Sequence, residues 1–148
     1  MKKRGADQKP WMSPEDYGRS LRPGVGINLL VKDVEKSILF LEDVLGATTT
    51  YSDKDFGALK LNGSDVMVHA DHTYADNPVS GLVKDIEGRG AGVELRVYGC
   101  DPDTAEEHAR AGGWIVLAGS MDKPHGLREC VLLDADGYCW VPSVALKK

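Results

Sequence analysis

In the stretch VMVHADHTY, residues 66–74, two histidines, an aspartate and a tyrosine stand at the end of an alternating apolar run. His69 and Asp71 are two residues apart, so on a β-strand they project from one face. An imidazole and a carboxylate so placed could share a divalent cation, or hold and move a proton beside a substrate. A second pair lies in ELRVY, residues 94–98, where Glu94 and Arg96 share a strand face. Here mutual neutralisation competes with any catalytic role for Glu94. The loop SMDKPHG, residues 120–126, contributes His125, and RE at 128–129 turns Glu129 to the same side by parity. No Ser/His/Asp or Cys/His arrangement of the nucleophile-elbow kind is present. Cys100, Cys130 and Cys139 are an odd number without CxxC spacing, which argues against a disulfide framework and a zinc knuckle and favours small buried hydrophobes.

The elements that must carry these residues repeat along the chain. GINLLVKDVEKSILFLEDVLGA, from Gly26, is a strand of period two, an aspartate cap at Asp33, and a helix whose apolar stripe is Val34, Ile38, Leu41 and Leu45, stopped by Gly46. ELRVYGCDPDTAEEHARAGGW repeats the plan, with Asp101 as cap, Pro102 at the helix start and Gly112 and Gly113 as the stop. Three strands follow each helix: ATTTYSD, FGALKLN and DVMVHAD in the first unit, with a turn at Gly63 and Ser64, and WIVLAG, RECVLLD and YCWVPSV in the second, with a turn at DADG. Two tandem βαβββ units predict an α+β fold, with unit 1 at 24–74, a linker at 75–92 and unit 2 at 93–148. The linker's glycines lead into a strand and not a helix, so they make a poor phosphate fingerprint. Residues 1–23 read as an extension, with a short helix capped by Ser13 and opened by Pro14, from which Trp11 and Tyr17 dock on the domain or on a second subunit. His72 and Tyr74 read as strand-end residues, and His108 as a solvated position on a charged helix face.

Composition narrows the function. The chain has 148 residues, 42% hydrophobic and 28% charged, an ordinary globular balance. A formal charge of -5, with KKR at residues 2–4 as the one basic run, disfavours nucleic acid and anionic membranes as partners. The longest apolar runs fall far short of a bilayer span, and no signal-peptide core follows the basic start, so the expectation is a cytoplasmic protein.

The order of LLVKDVEKSILFLEDVLG in the first unit and GLRECVLLDADGYCWVP in the second resembles the glyoxalase, bleomycin-resistance and extradiol-dioxygenase superfamily, also called vicinal oxygen chelate proteins. The resemblance covers roughly residues 24–145 and implies a U-shaped mixed sheet around a central pocket. It also implies four metal-ligand places, which fall here on Gly26, His69, Glu94 and Val141. Glycine and valine offer no donor, so no metal or other cofactor is expected; if a divalent metal binds, His69 and Glu94 hold it, with Asp71 or His125 as added ligands. Parity then lines the pocket with Asn28, Leu30, Met67, His69, Asp71, Glu94, Arg96, Cys139 and Val141, with His125 at its mouth. A few polar anchors in an apolar wall suit a small-molecule ligand. The first reading is therefore a metal-independent small-molecule binding protein, a homodimer as many superfamily members are. The alternative is a lyase, isomerase or dioxygenase of the same superfamily, metal-dependent or working by acid and base, in which Glu94 abstracts a proton and His69 polarises a carbonyl. A pure interaction subunit with a filled pocket is the third. Whether the chain is an enzyme stays open at this point.

Overall fold

The computed structural model describes residues 11–148; the basic run at residues 2–4 lies outside the described residues. The elements are helix α1 (Pro14–Ser20), strand β1 (Ile27–Val31), helix α2 (Val34–Asp43), strands β2 (Thr48–Ser52), β3 (Phe56–Leu61) and β4 (Ser64–Ala70), and a 3-10 turn (Asp71–Tyr74). Then come the short helix α3 (Ser80–Val83), strand β5 (Glu94–Tyr98), helix α4 (Pro102–Ala111) and strands β6 (Ile115–Asp122), β7 (Leu127–Leu133) and β8 (Cys139–Ala145). They form two four-stranded sheets of one plan, ordered β1-β4-β3-β2 and β5-β8-β7-β6. In each the first strand runs parallel to the last and the other pairs are antiparallel. This is the tandem βαβββ, α+β arrangement that the repeat predicts. No helix among the described residues is long and apolar enough to cross a membrane.

Local chemistry accounts for the element ends. The side chains of Ser13, Asp33 and Asp101 each accept a backbone N–H three residues on at 3.1 Å, satisfying donors that a helix start leaves unpaired. One turn differs from expectation. The last hairpin of the first unit turns on Asn62 and Gly63, not on Gly63 and Ser64, because Ser64 already pairs with Leu61 in the ladder. Both turn residues have positive φ, 47° and 82°, the twist that a two-residue hairpin needs and that Asn and Gly tolerate. The linker's Gly90 lies against the β7–β8 hairpin, where an added Cβ would stand 2.8 Å from the Tyr138 Cα, so this glycine serves close packing.

The two units share one core. Val31, Val34, Phe40, Leu41, Val66 and Val68 of the first and Ala109, Leu132 and Trp140 of the second are at most 2% exposed and belong to one cluster. Phe40 meets Trp114 edge-on at 5.2 Å between centroids and Trp140 at 6.5 Å. The helix-bearing faces of both sheets therefore supply this core, and the candidate residues lie on the opposite faces. His108 is exposed as expected, yet its Nδ1 lies 2.7 Å from the Asp43 carbonyl at the end of α2, so it also ties the two helices together.

A buried clasp adds to the core. The Arg89 side chain is 3% exposed and donates to both Asp71 oxygens at 2.6 and 2.7 Å and to the Leu30 carbonyl at 3.1 Å. That carbonyl also accepts the Tyr138 hydroxyl at 2.8 Å, and Asp136, 2% exposed, accepts the Lys32 backbone N–H at 3.0 Å. Linker, β1 and the β7–β8 hairpin are thus joined by hydrogen bonds, those of Arg89 and Asp136 charge-assisted.

Candidate functional site

The register of the first sheet decides which side chains meet. Leu30 is opposite His69, Asn28 opposite Met67, and Phe56 opposite His69 on the other side. The His69 Nδ1 lies 2.6 Å from Asn28 Oδ1, and Asn28 Nδ2 donates to the Tyr74 hydroxyl at 2.7 Å. An amide oxygen only accepts, so Nδ1 carries the proton and Nε2 keeps its lone pair. Half-burial holds the imidazole below its ordinary pKa and therefore neutral near pH 7. The ring also packs at 4.7 Å from Phe56 and 5.2 Å from Tyr74. Leu30 is buried and Met67 half-buried. Asp71 faces Arg89 with both oxygens bonded.

On the second sheet Glu94 is opposite Cys139 and Arg96 opposite Val141. Arg96 donates to Glu94 at 2.9 Å and to Glu129, and its guanidinium stands 5.9 Å from the Tyr98 ring centre. The His125 Nε2 is 3.2 Å from the same Glu129 oxygen. Burial pushes the Glu129 carboxyl up, but the bonds from Arg96 and His125 outweigh it and hold the group below its ordinary pKa. Val141 is fully buried beneath this network. Beside it lies an open groove of about 680 Å³, lined by Val93, Glu94, Leu117, Leu133 and Cys139 together with glycines of the linker. It combines apolar walls with one charged edge, which suits an organic ligand.

Asn28, Leu30, Met67 and His69 thus lie along the first sheet and Glu94, Arg96, Cys139 and Val141 along the second, with Leu30 and Val141 buried, His125 in the loop beside the second sheet and Asp71 drawn into the clasp. The hydrogen bonds of His69 stay within the first unit and those of Glu94 within the second. The sequence reading gave no role to Arg89, Phe56 or Tyr51 and underrated Tyr74. A single arginine among linker glycines carries no periodic signal, and an aromatic residue on an alternating strand reads as filler.

Solved structures with this arrangement are numerous. The chain aligns over 90% of its length with 93% of a glyoxalase/bleomycin resistance protein/dioxygenase from Nocardioides, at 24% identity and a TM-score of 0.64. It covers 88% of a glyoxalase-related enzyme from Fulvimarina pelagi (83% of this chain, 20% identity, TM-score 0.63) and 94% of the fosfomycin resistance protein FosX from Mesorhizobium loti (84%, 13%, 0.61). The chain shares the fold of the glyoxalase, bleomycin-resistance and dioxygenase superfamily. No family model and no curated protein matches it.

Among the described residues no donor set is assembled for a divalent metal, which proteins of this superfamily often bind: no three His, Cys, Asp or Glu side chains come together in a way that could hold an ion. Gly26 and Val141 offer no donor, Asp71 is fully engaged by Arg89, and His125 shares a carboxylate with Arg96. What the arrangement offers instead is two preorganised polar clusters, Tyr74–Asn28–His69 and Glu94–Arg96–Glu129–His125. Each is set beside apolar surface.

Proposed function

We propose that the protein is a cytoplasmic small-molecule binding protein of the glyoxalase/bleomycin-resistance kind that holds its ligand without the superfamily's usual metal. Residues 24–148 form the binding domain, made of units 24–74 and 93–148 joined by 75–92, and residues 1–23 are an extension. The observation that carries the reading is the Glu94–Arg96 ion pair beside the 680 Å³ groove. An ion pair anchored by buried Glu129 presents a fixed polar edge to a ligand, where a catalytic carboxylate would need to be released to take a proton. Cys139 lines the same groove; Asn28, Leu30, Met67 and His69 of the first unit and Val141 of the second, which do not border it, are proposed as further ligand-contacting residues.

A second copy of the chain is the expected partner. Tyr98, Ile115, Leu117 and Met121 lie 44–62% exposed on the free face of the second sheet, an apolar area that a monomer rarely leaves open. Covering it with a two-fold mate would enclose the groove, and light scattering at micromolar concentration should give a dimer mass.

The test is ligand binding after screening a small-molecule library by thermal shift. Binding of a hit should survive a strong chelator and weaken in Glu94→Gln and His69→Ala variants, since each removes a polar group offered to the ligand, at roughly 0.5 to 1.5 kcal/mol per lost hydrogen bond. Stoichiometric zinc, iron, nickel or manganese in the purified protein, with binding lost on chelation, would overturn the reading.

One observation favours acid–base catalysis as a second reading. His69 is neutral with its orientation fixed by Asn28, which leaves Nε2 as a base. Turnover of a hit that disappears in the His69→Ala variant would select it.

A further inference from the structure

An unbroken run of aromatic rings crosses the free side of the first unit. Tyr51 lies 6.4 Å from Phe56, Phe56 lies 4.7 Å from His69, and His69 lies 5.2 Å from Tyr74. The Tyr51 ring is fixed by its hydroxyl, which donates to Asp53 at 2.7 Å, while Asp53 in turn accepts the backbone N–H groups of Asp55 and Phe56 at 2.8 and 3.0 Å. A rigid flat ring at the end of such a run is a stacking platform, and stacking discriminates little among flat ring systems. The platform is covered by Trp11, whose indole lies nearly parallel to Tyr51, 4.8 Å away at 18°. Tyr17 reaches the same surface edge-on to Phe56 at 5.9 Å.

The segment that brings Trp11 there is lightly held. Helix α1 has no buried residue, and Trp11, Tyr17 and Leu21 are only half-buried. Among the described residues, the hydrogen bonds of Ser13–Leu21 close within the segment itself. It lies outside both βαβββ units and joins β1 through Pro23, Gly24 and Gly26. A core element would be tied to the sheet by ladder bonds or buried side chains. Among the described residues, the rings of Trp11 and Tyr17 join this one to the first sheet.

We propose that the Tyr51–Phe56–His69 surface is a binding site for a flat, fused-ring aromatic ligand, and that Trp11 occupies the ligand's place until α1 is displaced. This rests on the small-molecule reading above and adds to it a ligand class and a built-in competitor. A site occupied by its own indole binds with an apparent affinity reduced by the fraction of molecules in which the slot is open.

The test titrates proflavine, a flat tricyclic probe, into the full-length chain and follows its fluorescence polarisation. Trp11→Ala should tighten proflavine binding by about tenfold, as expected if the slot is open in roughly a tenth of the molecules. Trp11→Phe, which keeps a ring on Tyr51, should stay near the parent. Tyr51→Ala should weaken binding at least about fivefold, the low end of what one stacked ring is worth. Equal or weaker binding in Trp11→Ala would overturn the competitor role. Proflavine affinity unchanged by Tyr51→Ala, or absent from both parent and Trp11→Ala, would overturn the slot. These failures differ from failure of the small-molecule reading, which depends on the chelator and Glu94→Gln results with library hits.

Discussion

His69 donates its Nδ1 proton to Asn28, and that single bond organises the first half of the candidate site. Half-burial lowers the pKa of the ring below the ordinary 6.5, so as pH falls the unfolded chain takes up the proton before the folded one does. Stability contributed by neutral His69 is therefore present above about pH 7 and is lost as pH drops through 6.5 towards the folded-state pKa. An NMR titration should place the His69 ring below 6.5, and His69→Gln should remove this part of the acid-side slope in urea melts. A ring titrating above 6.5 would contradict the assignment. Parity alone put His69, Asn28 and Glu94 on the free faces, since side chains alternate along any strand. It could not show that Tyr74, four residues beyond the strand, folds back through a 3-10 turn to meet Asn28.

At the scale of elements, caps and turns behave as local chemistry dictates. Asp33 starts α2 by accepting the Lys36 N–H, and Asp33→Ala should cost about 1 kcal/mol in chemical denaturation with ligand binding unchanged. A large binding defect in the folded variant would show that Asp33 reaches the ligand. Helices α1, α2 and α4, both sheets and the DADG turn are legible because their signals lie within a few residues of the structure they specify, whereas the short α3 falls in what the sequence reads as a linker. The Asn62–Gly63 turn was misplaced by one residue for a similarly local reason: Gly63 fits either choice, and only the pairing of Ser64 with Leu61 fixes the register.

For the whole molecule the decisive feature is the joint between the units. Arg89 is buried against Asp71 and lies 3.8 Å from Asp136, so removing it leaves the buried Asp136 and the partly exposed Asp71 without their cation. Arg89→Ala should cost roughly 3 kcal/mol, at the low end for a broken buried pair because Asp71 is partly exposed and screened by solvent. For a chain of this length that lowers Tm by about 6 to 12 °C. Asp71→Asn should cost markedly less, and a calorimetric scan in which both variants melt like the parent would refute the clasp.

The sequence by itself determined the tandem βαβββ plan, the helix caps and the strand faces that carry Asn28, His69, Glu94 and Arg96. Each of these follows from a periodicity or a capping rule acting over a few residues. Only the tertiary structure decided what those faces meet. Phe40 joins Trp114 and Trp140 in a shared core, Arg89 closes on Asp71, and Trp11 lies on Tyr51. Such contacts link residues 18 or more positions apart, and their choice is made by shape, burial and charge across the packed units. No local pattern in the chain records that choice.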